Sequence, residues 1–273
     1  MHKSTRLLLL LAGTAVAGHT QWLSYHDPKI PRTQEGRPNM FANAPKLDGK
    51  PDVSGVWEAQ RTPSSEFARV LGPDFEKVQV DSQDVTKEAI NVFWGLRSDE
   101  EPLRPEAATI VKQRAHQSSP TAQCLPPGVP MSTFIYPFKL VEAPQEIVML
   151  SGIGDPPRQI YIDGRKLPKD PDPSWMGYSA GRWEGDVLVV ETTGFNEKAY
   201  LDGSGHPRSE SMLITERFHR RDFGHIDLEM TFEDPKYYTR PFSFETTLNL
   251  LPDTDVLEYV CAENEKDRPH IGK

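Results

Sequence analysis

From Phe138 onward the chain is written in short apolar runs whose side chains alternate. That periodicity limits the folds open to it more than any other feature. In HIDLEMTFE, Ile226, Leu228, Met230 and Phe232 share one face, and Asp227, Glu229, Thr231 and Glu233 share the other. A period of two sets one face on a core and the other in water, as in antiparallel sheets. Comparable runs are FKLVEA, EIVMLSG, RQIYID, SAGRWE, VLVVETT, MLITERFH, FSFETTLNLL and VLEYVCAE, with SGVWEAQ before them. Together they predict a mainly β fold, an antiparallel meander of about 8–10 strands closed into a barrel. Proline supplies 25 of 273 residues. Each would cost roughly 3 kcal/mol inside a helix, which argues against an all-helical bundle.

The opening MHKSTRLLLLLAGTAVAGHT reads as a signal peptide over residues 1–17. Lys3 and Arg6 form its basic start, Leu7 to Leu11 open the apolar run, and Ala15-Val16-Ala17 forms the cleavage site. The run is too short to span a bilayer, and no later stretch is long and apolar enough. The protein is therefore expected in the periplasm or outside the cell. Residues 18–51 form a proline-rich, linker-like lead, with Pro28, Pro31, Pro38, Pro45 and Pro51 and few apolar residues. A single barrel domain is expected over 52–265, with a helical insertion at 62–118 after the first strand and a tail at 266–273. In that insertion Ile90, Phe93 and Trp94 repeat at helical spacing, and Pro105 sits where a helix start tolerates it. The insertion could serve as a lid or as a cover for a sheet edge. In an oxidising compartment the two cysteines, Cys124 and Cys261, are expected to pair. Neither has a CxxC partner, so cysteine-held zinc has no support.

The connections point to a site. WEGDV, RRDFGH and LLPDTDV are short turns, whereas residues 164–178, 194–211 and 235–242 are long. In a meander, alternate connections fall at opposite ends, so the long loops should share one rim and form a mouth there. They carry Arg165, Trp175, Tyr178, Tyr200, Arg208, Tyr238 and Arg240, forked donors and stacking faces suited to an aromatic or anionic small molecule. Glu216 joins them if the face it shares with Ile214 and Phe218 points inward. A one-residue slip would turn Arg217 inward instead. Asp163, His206 and Glu210 are the candidate acid–base groups, with Arg165 as an anion partner. His219 and His225 lack a third ligand, so no metal site is expected. There is no G-x-G-x-x-G and no P-loop, so no nucleotide cofactor is implied, and none of another kind is expected. A formal charge of −9 disfavours a nucleic-acid partner. The sequence leaves the oligomeric state open.

Gly55-Val56-Trp57 resembles the G-x-W element of lipocalins, and WEGDVLVV resembles a hairpin of fatty-acid-binding proteins. The barrel is accordingly expected to be lipocalin-like. PDVSGVW, IYIDGR, GRWEGDVLVVETTGF, the ERF segment and EYVCAEN together resemble a family of exported bacterial proteins of unassigned function. That resemblance implies export and a single domain over most of 52–265, and no reaction.

Three roles are open to such a chain. The first is a small-molecule-binding barrel with its ligand at the long-loop end. The second is a cofactor-independent hydrolase, lyase or isomerase working in the same mouth. The third is a structural partner in an envelope assembly, which would show a large exposed apolar patch.

Overall fold

The computed structural model describes residues 26–72, 86–152 and 154–261. The expected signal peptide, the start of the lead, part of the helical insertion and the tail lie outside the described residues. The alternating runs form the wall of a closed barrel. Its strands are β3 (Gly55–Ala59), β4 (Phe138–Glu142), β5 (Glu146–Ser151), β6 (Arg158–Tyr161), β7 (Tyr178–Glu184), β8 (Val187–Thr193), β9 (Leu213–Arg220), β10 (His225–Glu233) and β11 (Phe242–Leu250). Each pairs with its sequence neighbours, and β11 closes the ring on β3, Leu250 opposite Trp57. A small hairpin, β1 (Lys46–Leu47) and β2 (Lys50–Pro51), precedes the wall.

Nine strands cannot alternate in direction all the way round a ring. One adjacent pair must run parallel, and it is β6–β7, joined only at Ile160↔Ser179 and Tyr161↔Ala180. The expectation of a wholly antiparallel barrel is corrected to a mixed one. VLEYVCAE is not a strand, because the wall is closed by β3–β11 pairing and offers it no edge. LLPDTDV turns the chain at the end of β11 but joins no hairpin.

The strand directions set the rims. Connections 60–137, 152–157, 194–212 and 234–241 emerge at an upper rim, and the short turns 143–145, 185–186 and 221–224 at a lower one. The long loops around 194–211 and 235–242 share the upper rim, as expected. The loop at 164–178 does not belong wholly to it. Since β6 and β7 are parallel, this segment must climb from the lower end of the wall to the upper.

The inward faces interdigitate into a solid core. Trp57, Phe138, Ile147, Met149, Leu188, Phe218, Leu228, Met230, Phe232 and Leu248 are all buried. Trp57 donates its indole N–H to the Val53 carbonyl at 3.0 Å, and the Arg220 guanidinium lies over its ring. Gly55 has φ +143°, and a Cβ there would stand 2.6 Å from Leu250 Cδ1. The glycine of G-x-W thus serves the β3–β11 seam chiefly through its backbone conformation, with Leu250 close beside it.

The insertion plugs the upper rim. It holds α1 (Ser64–Leu71), α2 (Lys87–Ile90), α3 (Pro105–Arg114) and, beyond its expected end at 118, α4 (Met131–Phe134). The helical face through Phe93 and Trp94 is cut short after one turn. The Asn91 side chain takes the Phe93 N–H at 2.6 Å, and Asp202 takes the Val92 N–H at 2.8 Å. These bonds compete with the helix for its own donors. Thr239 N donates to the Pro102 carbonyl and Arg104 N to that of Tyr237, which pins the plug to the β10–β11 loop.

The lead expected to be linker-like is docked on the lower rim over residues 26–51. Phe223 N and Gly224 N donate to the carbonyls of Ala42 and Met40, and Arg32 pairs with Asp253 at 2.8 Å. Backbone pairing with the β9–β10 turn is joined by Ile30, Met40 and Ala42, which pack against the core. Cys124 and Cys261 form a disulfide that ties the C-terminal segment to the insertion. No helix among the described residues is long and apolar enough to cross a membrane.

Candidate functional site

The expected mouth residues divide among three settings. Glu216 faces the barrel interior, so the register with Glu216 inward is the one adopted. Its partner is Arg158, on the same inward face of β6 as Ile160 and nearer the upper rim. Arg158 Nη1 donates to Glu216 Oε1 at 3.0 Å, and Nη2 reaches Oε2. The same guanidinium donates to Ser179 Oγ at 3.1 Å and Thr192 Oγ1 at 2.8 Å, and those two hydroxyls bond each other. This is a closed network whose charges and polar atoms answer one another, surrounded by apolar side chains. Both Glu216 oxygens are engaged by Arg158.

His206, Arg208 and Tyr238 are buried under the plug. His206 is only 1% exposed. Its Nδ1 lies 2.6 Å from Asp202 Oδ2, and its Nε2 lies 3.2 Å from Glu101 Oε2. Burial by itself lowers the imidazole pKa, but the hydrogen bonds and charges of Asp202 and Glu101 outweigh it and raise the pKa to about 9. The ring is therefore an imidazolium at neutral pH, with both N–H groups donated. It cannot accept a substrate proton. Arg208 donates to three carbonyls from three loops, those of Asn196 (3.3 Å), Val129 and Trp175 (2.9 Å). Burial lowers its pKa to about 9. Tyr238 donates its hydroxyl to the Pro207 carbonyl at 2.7 Å. Ser209 N and Oγ both bond the buried carboxylate of Asp234. Each of these groups fastens loops together.

The acid–base set does not assemble. Glu210 is exposed, whereas His206 is buried. Asp163 pairs with Arg165 on the outside of the wall, at 2.6 Å. Hydrogen bonds from Arg165 hold the Asp163 carboxyl below its ordinary pKa. His219 and His225 each face an aspartate, Asp227 at 3.8 Å and Asp222 at 2.7 Å. Among the described residues no group of three or more His, Cys, Asp or Glu is placed to hold a metal ion.

Arg165, Trp175 and Tyr178 do come together, outside the wall and along the parallel seam. Tyr161 points outward from β6 and Tyr178 from β7, with ring centroids 5.4 Å apart. Trp175 lies just before β7, and Pro156 and Pro157 come from the β5–β6 loop. They line a groove of about 260 Å³. Arg165 stands at its edge, with its guanidinium 3.8 Å from the Tyr161 ring centroid and Nη1 donating to the Tyr178 hydroxyl at 3.2 Å. Only two register pairs join β6 to β7, and above Ile160↔Ser179 the groove is framed by Pro156, Pro157 and Gln159 on one side and Ser174 to Tyr178 on the other.

The remaining two residues belong elsewhere. Tyr200 lies under the Arg114 guanidinium, 4.0 Å from the ring centroid, in a separate groove with His116 and Leu125. Arg240 borders another groove, near Phe242 and Trp94.

Sequence reasoning missed Arg158, Glu101, Tyr161 and Asp155. Arg158 was legible, since it alternates with Ile160 in RQIYID and so shares the inward face. Glu101 had no signal, because its contact spans more than a hundred residues of chain. Asp155 is buried, and its Oδ1 accepts from Gly128 N at 3.4 Å. Burial raises its pKa to about 6. It directly precedes the two prolines of the groove.

No family model matches the chain, and neither the curated proteins nor the solved structures contain a match to it.

Proposed function

We propose that this is an exported small-molecule-binding barrel whose ligand lies in the wall groove at Trp175 and Tyr178. The observation that carries the reading is the gathering of Tyr161, Trp175 and Tyr178 with Arg165 along the parallel β6–β7 seam. Aromatic faces beside fixed polar groups are the usual makings of a ligand site. The interior is taken up by side chains and by the Arg158–Glu216 network, which argues for a site outside it.

The basic and apolar leader and the Cys124–Cys261 bridge support export to the periplasm or beyond. The Gly55-x-Trp57 start supports a lipocalin-like reading of the barrel. The motifs from PDVSGVW to EYVCAEN support placing it with the exported family they resemble. The acidic net charge argues against a nucleic-acid partner.

Thermal-shift titration against sugars, lipids and aromatic acids tests the site. At least one compound should raise Tm, and the rise should vanish in Trp175→Ala. A compound that stabilises both proteins equally would place the site elsewhere.

A further inference from the structure

We propose that the wall groove takes an uncharged, hydroxyl-rich ring, a sugar unit of an oligosaccharide, laid on Trp175 and Tyr178. This rests on the groove being the ligand site and adds the class of ligand.

The first ground is charge. None of the residues lining the groove is ionisable to a cation or a carboxylate. Arg165, the nearest cation, is matched by Asp163, which accepts from Nε at 2.9 Å and from Nη2 at 2.6 Å. An anionic ligand would find no unbalanced positive charge, on a chain whose net charge is already −9. This sets aside the aromatic acids and fatty acids that the loop composition alone admits.

The second ground is the set of free donors. The indole N–H of Trp175 has no hydrogen-bond partner among the described residues, and neither has the Ser174 hydroxyl. Both residues line the groove. The Tyr178 hydroxyl accepts from Arg165, which leaves its own hydrogen to give. Neutral donors beside aromatic faces call for a ligand with an apolar face and oxygen acceptors around its edge. A pyranose ring has that form: axial C–H groups on its faces and hydroxyls at its rim.

The third ground separates a sugar from a proline-rich peptide, which also favours aromatic grooves. A polyproline backbone offers acceptors and no N–H donors. Sugar hydroxyls both donate and accept. Beside Tyr178 the Asp163 carboxylate and the Arg165 guanidinium stand side by side, and beyond the bonds they make to each other they keep acceptor and donor capacity for hydroxyls. Only the sugar uses both.

Isothermal titration of the full chain with cellotetraose, maltotetraose, 4-hydroxybenzoate, laurate and decaproline tests the assignment. A neutral tetrasaccharide should bind, and Trp175→Ala should weaken it by roughly tenfold or more. Tyr178→Phe, which removes one hydroxyl and keeps the ring, should weaken it by a smaller factor and serves if the tryptophan variant does not fold. If the acid, laurate or decaproline binds with that dependence on Trp175 or the Tyr178 hydroxyl and neither sugar does, the sugar assignment is overturned and the groove stands. If no probe binds in a way that either variant weakens, both are overturned.

Discussion

The proton on His206 is part of the fold, since its imidazolium joins Asp202 of one loop to Glu101 of the plug. Its pKa is raised from 6.5 to about 9. The associated stability is present in full below pH 6.5 and is lost as pH rises through 9, at most about 3 kcal/mol. Chemical denaturation across pH 6–10 should show that decline, and His206→Gln should flatten it. Asp155 gives the second titration. Its pKa is raised from 3.8 to about 6, so the folded state holds the proton more tightly than the unfolded one. A penalty grows as pH rises from 3.8 to 6 and is complete above. Asp155→Asn keeps the acceptor for Gly128 N. It should raise stability at pH 7 by roughly 1–3 kcal/mol and change little below pH 4. Inside the wall, Glu216→Gln strands the Arg158 charge and should cost about 3–5 kcal/mol in urea unfolding. The double change Arg158→Met with Glu216→Leu should recover most of that loss. The residue types at these positions were readable from the sequence, but their duties were not. His206 looked like a general base because a lone loop histidine titrates near neutrality. What removes that role is Glu101, brought to it by tertiary folding.

At the scale of elements, alternation carried most of the information. The strands from Phe138 to Leu250 follow the runs marked by their periodicity, because each inward face meets the same core. VLEYVCAE has equal strand character and forms none, since strand formation needs a free edge as well as a pattern. The Phe93–Trp94 helix failed for a comparable reason: Asp202 and Asn91 claim its backbone donors. The parallel β6–β7 seam could not be seen in RQIYID or SAGRWE. It follows from the strand count, which only the closed ring fixes. Gly55→Ala tests the account of the β3–β11 seam. The added methyl meets Leu250 at positive φ and should cost roughly 1–3 kcal/mol, read as a lower Tm.

At the scale of the molecule, a plug closes the upper rim, a docked lead covers the lower one, and side chains fill the space between. A small molecule then meets the outer surface, which carries an aromatic groove along the parallel β6–β7 pair and a larger, charged one at Arg61, Lys87, Arg217 and His219. The sequence placed the ligand residues in a mouth because it treated the 164–178 segment as a rim loop. That segment instead climbs the outside of the barrel and carries Trp175 and Tyr178 onto its surface. The two positions can be told apart by one experiment, a 15N–1H titration that follows the indole N–H resonances of Trp175 on the wall and Trp57 in the core while a binding ligand is added. The wall account predicts that Trp175 shifts in a saturable way and Trp57 stays still; a saturable shift of Trp57 with Trp175 unmoved would contradict it.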